Sequence, residues 1–92
     1  MTKNRFEQVE EPQDDAITLS LARAEDGEFG TVRCPAALTQ GRLKEDAISP
    51  KLPLVEAFRS AIRLANEIKA PVVVLDPDNL WKAEWGALYR PV

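Results

Sequence analysis

Length, composition and charge restrict this chain to one small domain. It has 92 residues, of which 45% are hydrophobic and 29% charged, and its net charge is −3 at pH 7. Four glycines and ample aliphatic residues exclude the collagen-like, coiled-coil and wholly disordered classes. The acidic balance argues against duplex DNA as a partner, because its phosphates are normally met by a basic face.

Residues 1–14 are predicted to form a disordered acidic tail. Charged and polar side chains crowd this segment, and its few apolar residues are chiefly Phe6 and Val9. Such a segment buries too little apolar surface to offset the entropy cost of ordering. Residues 15–92 are expected to form a single small α+β domain.

Two strands joined by a tight turn are predicted next. Residues 16–22 alternate apolar and polar side chains, which is the period of a half-buried strand. Asp26-Gly27 indicates a hairpin turn, and residues 29–34 form the second strand. Pro35 ends it, since proline cannot donate a ladder hydrogen bond. Residues 36–52 are interpreted as an irregular connection.

One long amphipathic helix is predicted over residues 53–69. Pro53 suits the first helical position and Pro71 stops the helix. Apolar side chains recur at helical spacing along one face: Leu54, Phe58, Ala61, Ile62, Ala65 and Ile68. We expect this face to pack on the sheet.

A buried strand and a short terminal helix are predicted in the last part of the chain. Residues 72–75 read Val-Val-Val-Leu, a run typical of a central strand covered on both faces. Trp81, Trp85 and Tyr89 then recur at helical spacing, although Gly86 weakens the second turn.

This element order predicts a two-layer β-β-α-β fold, with a three-stranded mixed sheet packed against one long helix. The third strand is expected to return parallel to the second by a right-handed crossover. The strand order 2-1-3 would leave residues 72–75 at an edge, whereas the order 1-2-3 or a dimer would bury them more fully.

The rarest residue types exclude several kinds of catalytic and metal site. The chain has no histidine, which excludes Ser-His-Asp and Cys-His catalysis within one chain. Cys34 is the only cysteine, so neither an intramolecular disulfide nor a zinc cage of Cys and His can form. We expect Cys34 to be a small buried apolar residue, and we expect no cofactor. Without a signal-like or membrane-spanning apolar run, a cytoplasmic location is expected.

Residues 72–78 are the first candidate for catalytic chemistry. An apolar strand followed by Asp-x-Asp resembles the first motif of the haloacid dehalogenase superfamily, which implies a nucleophilic Asp76, an acid/base Asp78 and a bound Mg²⁺. The resemblance covers seven residues, and Asn79 and Leu80 stand where that family has Gly and Thr. The other interpretation is a turn in which Asp and Pro serve the backbone geometry.

Three aromatic residues and two arginines are the candidate protein-binding residues. Trp81, Trp85 and Tyr89 combine apolar area with a polar group, as at protein interfaces, but they could also cap a small core. Arg59 and Arg63 lie one turn apart on the polar helix face. They suit an acidic partner or a phosphate, or they belong to a solvated face that pairs with neighbouring glutamates.

These features favour a non-enzymatic protein-interaction or accessory domain. It would bind a protein partner or a second copy of itself, and neither nucleic acid nor a membrane. The alternative is a small metal-assisted enzyme that uses the Asp76 and Asp78 turn. Nucleic-acid binding through Arg59 and Arg63 would require an affinity that falls steeply with salt.

Overall fold

A computed structural model describes residues 6–11, 13–39, 44–86 and 88–89. These residues form a six-stranded mixed sheet with one long helix on one face, which confirms the predicted small α+β class. No helix in this part of the chain is long and apolar enough to cross a membrane.

The strands follow one another along the chain with the helix between the fourth and the fifth. They are β1 (Phe6–Gln8), β2 (Ile17–Ala24), β3 (Gly27–Cys34), β4 (Ala47–Ile48), β5 (Val72–Leu75) and β6 (Leu88–Tyr89), and the helix is α1 (Leu54–Ile68). Short 3₁₀ turns cover Ala36–Thr39 and Ala83–Trp85. The spatial order is β4-β3-β2-β5-β1-β6, so the predicted three-stranded sheet is wrong.

The β2–β3 hairpin forms where the sequence pattern predicts it. The two strands pair antiparallel and end at Ala24 opposite Gly27. Glu25 and Asp26 form the turn between them. Gly27 has a φ of 138°, a conformation that favours glycine.

The helix α1 confirms the predicted amphipathic helix, but its most buried face differs from the predicted one. It begins after Pro53 and ends at Ile68, and the next residue, Lys69, adopts the left-handed conformation. The buried side chains are Leu54, Ala57, Ala61 and Ala65. The larger side chains, Phe58, Ile62 and Ile68, are half-buried on either side of this stripe. Small alanines let the helix lie close to the sheet, and the bulkier residues turn to its flanks.

Strand β5 lies beside β2, as in the predicted order 2-1-3, but it runs parallel to the first hairpin strand instead of the second, and β1 covers the edge that this order left open. It runs parallel to β2, with Val72 opposite Ile17 and Val74 opposite Leu19. All four of these side chains are buried. The Val-Val-Val-Leu run needs an apolar strand beside it, and the alternating apolar residues of β2 provide that strand.

Strand β1 shows that the prediction of a disordered tail is wrong for Phe6–Gln8, while residues 1–5 and 12 lie outside the described part. It pairs parallel with β5 on one side and with β6 on the other. Phe6 is 4% exposed, and burial of this one aromatic ring, together with the hydrogen bonds of the β5 edge, offsets the ordering cost. Strand β5 is therefore central in the sheet.

The predicted C-terminal helix is also wrong. The segment forms only the 3₁₀ turn Ala83–Trp85 and then the strand β6. Gly86 lies between them with a φ of 110°, which ends the helical turn. Its carbonyl accepts a hydrogen bond from the indole N–H of Trp81 at 2.9 Å.

The connection from β1 to β2 crosses β5 on the sheet face opposite α1. The main-chain N–H of Gln13 donates to the Thr18 hydroxyl at 3.3 Å, and the Arg33 guanidinium donates to the Gln13 carbonyl at 2.9 Å. Thr18 and Arg33 point away from α1, because they alternate with residues of the core. The contact with Gln13 contributes to the burial of Thr18 on the face away from α1.

Candidate functional site

The carboxylate of Asp76 closes the turn that follows β5. The main-chain N–H of Leu80 donates to its Oδ1 at 2.7 Å, and that of Trp81 donates to its Oδ2 at 2.9 Å. Gln8 donates from its side chain to the Asp76 carbonyl at 3.2 Å. Asp76 is only 2% exposed, so both carboxylate oxygens are engaged in holding the next segment in place.

Asp78 faces a different part of the molecule. Its Oδ2 accepts a hydrogen bond from the main-chain N–H of Arg23 at 3.3 Å, at the end of β2. The two carboxylates thus have separate partners, and these contacts are those of a turn. Within the described ranges, no group of three or more His, Cys, Asp or Glu residues is placed to hold a metal ion.

Four aromatic rings meet between β1, α1 and the segment after β5. This aromatic cluster consists of Phe6, Phe58, Trp81 and Trp85. Phe58 stacks on Trp85 with ring centroids 4.5 Å apart and an interplanar angle of 5°. Trp81 meets Trp85 edge-on at 5.1 Å, and Phe6 lies 5.0 Å from Trp81. Each such pair contributes about 1 kcal/mol beyond the area it buries.

Hydrogen bonds around the cluster fix the two tryptophans. Asp76 holds the main chain of Trp81, and the Trp81 indole holds Gly86. The N–H of Trp85 donates to the carbonyl of Lys82 at 3.0 Å within the 3₁₀ turn. The Asp-Pro-Asp segment therefore serves to position the aromatic residues that follow it.

The structure brings two of the three predicted aromatic residues together. Trp81 and Trp85 are half-buried and packed against the hydrophobic core, so they cap the core and also keep part of their surface exposed. Tyr89 lies in β6 opposite Glu7, and its side chain lies outside the described part of the structure.

Arg59 and Arg63 are exposed on α1. Neither forms an ion pair with any residue that the structure describes, although Glu56 and Glu67 lie within helical reach. Arg59 directly follows Phe58, so its position is next to the aromatic cluster. Val55 and Ile62 lie one turn before and one turn after Arg59 on the same side of the helix.

The half-buried and exposed residues on this side form one continuous surface, which we name the aromatic flank. It consists of Trp85, Phe58, Val55, Arg59 and Ile62. Val55 is 37% exposed, which makes it one of the most exposed large apolar residues in the described part. The helical spacing predicts Phe58 and Ile62 on the buried face, so this pattern does not place them beside Trp85.

Arg33 forms an ion-pair network that the sequence pattern did not reveal. Its guanidinium donates to Asp14 at 3.1 Å and also pairs with Asp46. The hydrogen bond to Asp14 is the main reason that the pKa of Arg33 lies above its ordinary value. Asp46 also accepts a hydrogen bond from the N–H of Ala36, which, together with Arg33, lowers the pKa of Asp46. The network ties the β1–β2 loop to β3 and to the residues before β4.

Cys34 is buried, as the sequence analysis predicts. Burial raises the pKa of its thiol, and the negative charge of Asp46 raises it further. A thiol with a raised pKa forms little thiolate and is a weak nucleophile.

Comparison of the chain with protein-family models, with curated proteins and with solved structures found no match. The function of the chain must therefore be inferred from its own geometry. Two arrangements stand out: the engaged carboxylate of Asp76 and the aromatic flank.

Proposed function

We propose that this chain is a non-enzymatic protein-interaction domain and that it binds a partner protein through the aromatic flank. The observation that carries the proposal is the stacked pair of Phe58 and Trp85 at the surface. Trp85 stacks on Phe58 with ring centroids 4.5 Å apart, and the residue is half-buried. Rigid aromatic residues of this kind supply binding energy at little entropy cost.

The apolar surface beside Trp85 supports the same proposal. Val55 and Ile62 extend the apolar area along α1, and Arg59 lies between them at helical spacing. Trp and Arg are the residue types most enriched at binding hot spots. A partner that covered this flank would remove the exposed part of Trp85 and Val55 from water.

The contacts of Asp76 favour a binding role over the metal-assisted alternative. Its two oxygens already accept hydrogen bonds from Leu80 and Trp81. Asp76 is also only 2% exposed, so a substrate or a metal ion has little access to its remaining lone pairs. The effect of the two hydrogen bonds is to orient Trp81 and, through the 3₁₀ turn, Trp85.

Selection of binders from a library of short random peptides tests the proposal. The wild-type chain should enrich peptides that lose binding to Val55→Glu, which adds a charge to the flank without disturbing the core. Ile48→Glu is the matched control, because Ile48 is an aliphatic residue 67% exposed on β4. Binding should survive in this control. A second variant, Trp85→Phe, keeps an aromatic ring on Phe58 and should weaken binding less than Val55→Glu.

Two outcomes would overturn the proposal. One is a selection that enriches no peptide sensitive to Val55→Glu. The other is sedimentation showing a dimer that Val55→Glu abolishes, because the flank would then bind a second copy of the chain instead of a different protein.

A further inference from the structure

We infer that the partner segment bound by the aromatic flank is acidic, an inference that rests on the proposed function. It starts from a contrast among four arginines of the described chain. Arg23 pairs with Glu28 at 3.0 Å, and Arg33 pairs with Asp14 and Asp46. Arg59 and Arg63 have no such partner there. The two arginines of α1 are therefore the ones whose charge can still pair with an acidic group of a partner.

The charges on α1 are also unevenly placed around the helix. One stripe follows the spacing of four and three residues and borders Phe58: Val55, Arg59, Ile62 and Asn66. This stripe contains one cation, Arg59, and no carboxylate. The next stripe contains both glutamates of the helix: Glu56, Ser60, Arg63 and Glu67. Positive charge thus lies next to the apolar flank, and negative charge lies farther away.

This arrangement matches a peptide in which carboxylates stand beside apolar side chains. An apolar residue would contact Trp85 and Val55, and a neighbouring Asp or Glu would reach Arg59. Arg63 lies one turn farther along and suits a second carboxylate. Arginine is favoured for this task because its guanidinium can donate two parallel hydrogen bonds to one carboxylate.

The same surface fits a nucleic acid poorly. A continuous phosphate backbone that reached Arg63 would also meet Glu56 and Glu67, and the whole chain carries a net charge of −3. One face of Trp85 is already covered by Phe58, which leaves less ring surface for base stacking. Discrete carboxylates can avoid the glutamates, whereas a regular polyanion cannot.

Two properties of the peptides selected from the random library test this inference: their content of Asp and Glu, and the dependence of their binding on the arginines and on salt. The enriched peptides should be richer in Asp and Glu than the starting library. Arg59→Gln and Arg63→Gln should each weaken their binding about fivefold. Arg23→Gln removes the same charge at a paired, exposed position and should leave binding unchanged. Added salt should weaken binding to the wild type more than to the Arg59→Gln variant.

Peptides that depend on Val55 but are neutral or basic, and that bind Arg59→Gln as tightly as the wild type, would overturn this inference and leave the proposed function standing. A selection without any flank-dependent peptide would remove both. A single-stranded oligonucleotide that binds more tightly than the selected peptides, and loses binding in the same arginine variants, would assign the arginines to a nucleic acid.

Discussion

Gly30 of β3 and Ala57 of α1 approach so closely that neither position tolerates a larger group without movement. A Cβ atom added to Gly30 would lie 2.6 Å from the Cβ of Ala57. This contact brings α1 close to the sheet, and it therefore sets the height at which Phe58 meets Trp85. The surface that we propose for binding depends on a packing contact on the buried side of the same helix.

Gly30→Ala should destabilise the fold by about 2 kcal/mol, because the added methyl group overlaps Ala57 and the helix must move away. Ala57→Gly alone should cost about 1 kcal/mol through its helix propensity. The double variant should be more stable than the sum of the two changes implies. Urea unfolding of all four proteins measures this coupling, and strictly additive changes would contradict the close contact.

Phe6→Ala should lower the free energy of unfolding by about 3 kcal/mol, since it removes a buried ring from the aromatic cluster. Glu7→Ala, in the same strand but exposed, is the control and should change stability by less than about 0.5 kcal/mol. Thermal or chemical unfolding compares the two. Equal and small effects would mean that the segment does not pair with β5.

Asp76→Asn should cost about 2 kcal/mol, because the amide nitrogen of Asn cannot accept the hydrogen bond that one carboxylate oxygen now accepts. The indole N–H signal of Trp81 should shift, since Asp76 holds the main chain of that residue. Asp78→Asn is the matched control at an exposed position. If both variants behaved alike, Asp76 would not be the group that orders the turn.

Mg²⁺ at millimolar concentration should leave the amide signals of residues 75–79 unchanged, because Asp76 is buried and both its oxygens already accept main-chain hydrogen bonds. A ¹H–¹⁵N titration is the measurement, with Ca²⁺ as the comparison. Saturable shifts confined to these residues with Mg²⁺ would favour the metal-assisted alternative.

Asp46 should contribute to stability at neutral pH and lose that contribution in acid. The N–H of Ala36 and then Arg33 lower its pKa in the folded state, so the folded protein binds this proton less tightly than the unfolded chain. The contribution is present above the pKa of Asp46 in the unfolded chain, about 4. It disappears as the pH falls through the lower pKa of Asp46 in the folded protein. Asp46→Asn should therefore be less stable than the wild type at neutral pH, and the gap should close on acidification. Unfolding curves across this range would exclude the mechanism if the gap were independent of pH.

Local patterns were sufficient to predict the hairpin, the helix and the strand Val72–Leu75. Each depends on residues within a few positions of one another, such as the Asp26-Gly27 turn or the period of α1. Strand β1 could not be predicted in this way, because its partner β5 is distant in sequence and Phe6 is the only buried residue of the strand. The strand neighbours of β5 were uncertain for the same reason.

The candidate site was predicted in part. The spacing of Trp81 and Trp85 predicted a helix, whereas the structure brings their rings together at 5.1 Å through a 3₁₀ turn. Phe58 was expected in the core because its spacing fits the apolar stripe, but the alanines occupy the deepest positions. The partners of Arg33 lie in two separate loops, and no local pattern links them.

The position of β5 between β1 and β2 has a consequence for biosynthesis. Gln8 and Asp76, which are hydrogen-bonded, lie 68 residues apart. Strand β1 therefore leaves the ribosome long before β5 has been synthesised, and Phe6 has no pocket until Trp81 has been added. The hairpin can form early, but the sheet closes only after nearly all of the described chain has been made. This order of events favours folding after synthesis and a slow step in which β1 pairs with β5.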